Sequence, residues 1–333
     1  MILHPAIISL LAGSLLIGGM LVYASFHGLR ILKSWNIHSG SELQLGLERR
    51  TYLISTLMTN AMAFQLLSLF LFIYTADHMA PLFVGAMCAA GTLKVNFWGY
   101  PTLLLKIMNW LLAGTWLIMN TTDNRGYDYP LIRKKYTLLI LMTPLILLEA
   151  FTQAAYFLQM QPAVITSCCG TLFTSDAGGV TAGIVALPRT PVAIAFTTGL
   201  VLTFSVGIYT CLKGKLATLF SVLSLFTFVV SAIALISFIS LYFYELPTHH
   251  CPFCLLQREY GYIGYAIYFT LLGGAVGGLG GAVVMPFRGI GSLAEAVPRI
   301  QRRLALMAVI SFGVFTAIVV SGIALSNLKL FGV

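Results

Sequence analysis

The chain has 333 residues, of which 59% are hydrophobic and only 9% charged, with a formal net charge of +9. Soluble domains carry about 25% charged residues, and a water-soluble fold of this size could not hide so much apolar surface. Composition therefore excludes a soluble domain, and a soluble basic surface for nucleic acid with it; the solvent for most of this protein is lipid.

In lipid every backbone N–H and C=O must be paired internally, which leaves helices or a closed barrel. Barrel strands alternate apolar and polar residues over about ten positions. Here the apolar runs continue over twenty or more, the helical length for a core ~30 Å thick. They predict an all-α integral membrane protein, a bundle of about eight transmembrane helices. In chain order the spans are Ile7–Leu32, Tyr52–Ala76, Pro101–Met119, Thr137–Leu158, Pro191–Leu212, Ala217–Tyr244, Leu255–Met285 and Leu304–Leu325. Met1–Pro5 has no basic stretch and no small-residue cleavage site precedes Tyr23, so the first run is expected to be retained as a helix. The whole is read as one polytopic membrane domain in three stretches. Residues 1–136 hold the first three spans, 137–216 the fourth and fifth, and 217–333 the last three.

The loops between spans alternate between two faces. One face collects Arg30, Lys33, Arg49, Arg50, Arg125, Arg133, Lys134, Lys135, Lys213, Lys215, Arg288, Arg299, Arg302 and Arg303, fourteen of the 19 basic residues. Positive loops stay in the cytoplasm, so both termini are expected outside. Anionic lipid headgroups are the natural partner of this basic face. The expected location is a bacterial inner membrane, with the cysteine loops on the non-cytoplasmic side.

Three outward loops then carry the polar chemistry. The first holds Cys88, the second Cys168-Cys169, and the third runs Glu245-Leu-Pro-Thr-His249-His250-Cys251-Pro-Phe-Cys254. Five of the six cysteines thus face the side where disulfides form and persist; Cys211 reads as a packing residue. Cys251-x-x-Cys254 is expected to open the seventh span. A helix N-terminus carries partial positive charge and free N–H groups, which stabilise a thiolate. On a continuous helix Arg258 would share a face with both cysteines. There it could stabilise a thiolate or a quinone oxygen, with Tyr262 and Tyr265 flanking the ring.

The run Cys251-Pro-Phe-Cys-Leu-Leu-Gln-Arg258, after a span and a short outer loop, resembles the DsbB (and VKOR-like) family of quinone-linked disulfide-forming membrane enzymes; the resemblance covers about residues 217–270. It implies a disulfide at Cys251–Cys254, reoxidised by a membrane quinone near Arg258. In that family a second cysteine pair follows the CxxC. Here the candidates, Cys88, Cys168 and Cys169, all lie upstream. Adjacent cysteines close only a strained ring, and strained disulfides are the more easily reduced. A relay is therefore expected. An extracytoplasmic thiol protein exchanges with the Cys168/Cys169 region, and electrons pass through Cys251/Cys254 to the quinone.

Two other readings stand beside this one. His249, His250, Cys251 and Cys254 form a metal-binding stretch, and with the other outward cysteines they suit Cu(I) or Zn. No C-x-x-C-H occurs, so covalent haem has no support. Alternatively the chain is a non-catalytic subunit of a larger membrane complex, its cysteines forming structural disulfides. Within the membrane Glu149 is costly to bury and so is a functional candidate, carrying protons for quinone chemistry or binding a cation. Gly273, Gly277 and Gly281, and Gly274 and Gly278, repeat every four residues and are expected to let helices pack closely.

Overall fold

The computed structural model describes residues 3–37, 39–162, 164–166 and 180–330. Among the described residues it is all-helical, with no strand and with eight helices long and apolar enough to cross a membrane. These are Pro5–Ser34, Glu42–His78, Gly99–Asp123, Ile132–Leu158, Arg189–Lys213, Ala217–Tyr244, Ile263–Val284 and Ala296–Leu325. In the second and seventh, a 3-10 turn extends the apolar span to Leu82 and Phe287.

All eight expected spans are present, and the differences lie at their ends. The second begins ten residues before Tyr52. Ser41 caps it, its hydroxyl accepting the Gln44 N–H at 3.4 Å, and Glu42 sits in the first turn where the helix dipole favours a negative charge. The fourth begins at Ile132 because Lys135, counted from sequence as a loop charge, is buried in its first turns and paired with Asp123 at 2.7 Å.

The seventh departs most. It starts at Ile263, not at Leu255. Gln257 is extended, and Gly261 and Tyr262 both adopt the left-handed conformation, with φ of 62° and 57°. An α-helix cannot run through such a sequence of dihedrals. Cys254–Leu256 and Arg258–Tyr260 are separate 3-10 turns. The CxxC therefore does not open the span, and the helix dipole proposed for its thiols is not there.

The chain packs as two compact units. The first comprises Met1–Thr75, Asn96–Met160 and Val283–Ile300, and so holds the first four spans. The second comprises Ala76–Val95, Gln161–Ala282 and Gln301–Val333. It holds the fifth to seventh spans, most of the eighth, and the Cys88 loop.

Within the second unit the glycines of the seventh span do what their spacing suggests. Gly274 faces the ring of Phe312, and Gly277 faces Ala308 and the Leu304 carbonyl. Gly278 lies against Ser224, and its carbonyl accepts the Ser221 hydroxyl at 2.5 Å. A Cβ at Gly278 would fall on the Ser224 side chain. Gly278→Val should therefore cost about 1–3 kcal/mol through overpacking, read as a lower melting temperature in detergent. Gly273→Ala, with only Ser311 nearby, should melt like the parent. Equal melting of all three proteins would show that this contact is not tight.

Candidate functional site

The site is assembled from two loops of the second unit. Cys88 precedes the short helix Ala89–Leu93, and Asp77 fixes that turn by accepting the Ala89 N–H at 3.0 Å. Cys251 and Cys254 lie in the loop after the sixth span. A cross-tie joins the two segments: the Gln257 side-chain amide donates to the Met87 carbonyl at 2.6 Å. Two tyrosines hold the CxxC backbone. The Tyr244 hydroxyl donates to the Cys251 carbonyl at 2.6 Å, and the Tyr268 hydroxyl to the Pro252 carbonyl at 2.7 Å.

The result is a cluster of three thiols. The sulfurs of Cys88, Cys251 and Cys254 all lie within 4.8 Å of one another. Cys88 and Cys251, 163 residues apart in sequence, approach to 3.6 Å. All three residues are buried, with exposures of 0%, 0% and 5%. His249 stands at the edge of the cluster, its Nε2 3.3 Å from the Cys254 sulfur and its ring edge-on to Tyr244 at 4.5 Å.

His250 has a different task. Its Nδ1 donates to the Ile236 carbonyl at 2.9 Å. That carbonyl belongs to a single π-helical turn, Leu235–Ile239, which interrupts the sixth span. A π turn disturbs the regular bonding ladder and so offers a backbone oxygen to a side chain. Burial, as the largest cause, holds the His250 imidazole below its ordinary pKa. The bond to the carbonyl requires a proton on Nδ1.

The remaining candidates fall elsewhere. Arg258 is exposed on its own 3-10 turn. It does not share a helix face with the cysteines, because no helix runs from one to the other. Tyr262 is half exposed and packs near Tyr265, their ring centroids 6.3 Å apart. Cys168 and Cys169 lie outside the described residues. Thr166, just before them, is tied to the Cys88 loop on both sides. Its N–H donates to the Val84 carbonyl at 2.9 Å and its hydroxyl to the Gly91 carbonyl at 3.1 Å. Gly85, with φ of 86°, makes room for the Thr166 carbonyl, on which a Cβ would fall. Cys211 is partly buried at the end of the fifth span.

Glu149 belongs to the first unit and is not alone. It pairs with Lys106 at 2.7 Å and accepts from Gln65 at 2.5 Å and Asn109 at 2.6 Å. Sequence reading picked out Glu149 but missed Gln65, Lys106 and Asn109 as partners. It also missed Tyr244 and Tyr268. A signal for Lys106 was present: a lysine inside an apolar run needs a counter-charge.

Chemically, three sulfurs and an imidazole this close are a soft-donor set. Tetrahedral zinc with Zn–S bonds of about 2.3 Å places its sulfurs roughly 3.8 Å apart, near the Cys88–Cys251 separation. The same approach would let the Cys88 thiolate reach a disulfide at Cys251. No known protein family, curated protein or solved structure matches the chain.

Proposed function

We propose that this chain is a multi-pass membrane protein that binds a thiophilic metal ion through Cys88, Cys251 and Cys254, with His249 completing the set. One observation carries the reading: three buried sulfurs, brought from two distant loops, lie mutually within 4.8 Å. Thiol exchange needs one sulfur near one disulfide. That too brings three sulfurs together, but it also needs access for a partner, which burial opposes.

Charge decides between the two metals. Three thiolates and a neutral imidazole leave a net −1 around Zn²⁺ and −2 around Cu⁺. Buried charge is costly, so the divalent ion suits this site better. The positive-inside rule supports placing the cysteine loops on the non-cytoplasmic side.

A second reading is favoured by the 3.6 Å approach of Cys88 to Cys251. In it the Cys88 thiolate attacks a Cys251–Cys254 disulfide at Cys251 and releases Cys254 as a thiolate. The exchange leaves a Cys88–Cys251 disulfide. A donor dithiol reduces it and becomes a disulfide itself. The two electrons gained pass with two protons to a quinone as the Cys251–Cys254 disulfide re-forms, as the DsbB-like run of residues suggests.

Purification under reducing conditions, followed by elemental analysis, separates the two. Metal binding predicts about one zinc per chain, lost in Cys88→Ser and in Cys251→Ser. The relay predicts no stoichiometric metal, and a dithiol-dependent quinone reduction that Cys251→Ser abolishes. A metal-free parent would sink the first reading.

A further inference from the structure

The first unit carries a second constellation, independent of the thiols. Two buried ion pairs join the third and fourth spans with opposite polarity. Lys106 on the third pairs with Glu149 on the fourth, and Asp123 on the third with Lys135 on the fourth, each at 2.7 Å. None of the four residues is more than 2% exposed. Lys106 and Asp123 are 17 positions apart, about 25 Å along a helix. The pairs therefore stand near opposite ends of the hydrocarbon layer.

The second span lines the way between them. Ser68 and Gln65 bond to Lys106 and Glu149 at one end. Thr59 accepts from Asn120 at 2.9 Å in between, and Ser55 accepts from Lys135 at 3.3 Å at the other end. Asn120 also accepts from Lys135 at 3.0 Å. Beyond Ser55, Thr51 lies 3.3 Å from His27 Nε2. Polar side chains thus form a seam along the unit, with a break between Asn109 and Asn120 on the third span.

That break is bordered by two orphan atoms. Asn109 Oδ1, an acceptor, and Trp116 Nε1, a donor, are both buried with no hydrogen-bond partner among the described residues. They are two turns apart on the buried face of the same helix. A buried orphan costs the desolvation of a polar group, and such groups usually hold ordered water. Near the Glu149 end Gln153 Oε1 is a third orphan, one turn from Glu149.

We propose that water fills this break and that the seam conducts protons along the first unit, with Lys106–Glu149 as its charged station. A proton adds to the Glu149 carboxylate and releases the Lys106 ammonium from its pair. Glu149 or Lys106 then gives a proton to the bridging water, which hands one on past Thr59 toward Asp123. No electron moves, and no bond between heavy atoms changes. The amides hold the waters, and the waters and hydroxyls carry the proton.

The test uses the full chain in liposomes with an entrapped pH dye and a potassium diffusion potential set by valinomycin. The parent protein should admit protons faster than protein-free vesicles. Glu149→Gln alone strands a buried lysine and is poorly suited, so the neutral double variant Lys106→Met/Glu149→Gln serves, and it should fall to the protein-free rate. Trp116→Phe removes the bridging donor together with part of the ring and should slow entry by about tenfold, the factor for one lost hydrogen-bonded link. Parent vesicles no faster than empty ones would overturn the proposal. So would a double variant, or a Trp116→Phe protein, that conducts like the parent.

Discussion

Replacing Lys106 with methionine should destabilise the protein by about 3–5 kcal/mol, the cost of leaving a buried charge without its partner. Methionine keeps the stem's volume and loses the ammonium. Glu149 would then keep Gln65 and Asn109 as donors but no cation. The Lys106 ammonium also faces the Phe72 ring at 5.5 Å, a contact methionine replaces only in part. Adding Glu149→Gln should recover most of the loss, because a buried pair exchanged as a whole for neutral groups is often near neutral in stability. Thermal unfolding in detergent reads both changes. The exposed Arg299–Glu295 pair gives the contrast: its partners are 71% and 88% exposed, and Glu295→Gln should leave the melt unchanged. A Lys106→Met protein that melts with the parent, or a double variant no better than the single one, would show that the pair is not held in a dry interior.

The eight spans were legible because the bilayer imposes a length that a single sequence displays directly. Their polar contents were not. Lys106 and Glu149 are 43 residues apart and meet only because two antiparallel helices set their register, and no local pattern encodes that register. Lys135 was misread as a loop charge for the same reason, since its counter-charge Asp123 lies across a turn. The CxxC was recognised, but its setting was inferred from periodicity. That inference failed at Gln257, Gly261 and Tyr262, where the backbone leaves the helical region. Arg258 lost its place beside the thiols with it. Cys88 was named as a candidate on the shared face, yet its nearness to Cys251 rests on tertiary ties such as Gln257 to Met87.

Those ties give the metal reading a thermodynamic consequence. The cluster joins the Cys88 loop to the loop after the sixth span, and an unfolded chain has no such preformed site. Metal binding is then folding free energy. A ligand held at 1,000 times its Kd stabilises by about 4 kcal/mol. A strong chelator should therefore lower the melting temperature of the parent protein by several degrees, and added zinc should restore it. Cys251→Ser should melt at the lower temperature from the outset and ignore the chelator. His249→Ala should behave between these limits. Its Nε2 touches the cluster only at Cys254, and three thiolates would still hold the ion with water in the fourth position. Cys211→Ser, outside the cluster and partly exposed at the end of the fifth span, should respond to the chelator as the parent does. If the chelator shifts the parent and Cys251→Ser alike, the metal sits elsewhere. If it shifts neither, the three sulfurs serve exchange, and their close approach is the geometry of a thiol poised on a disulfide.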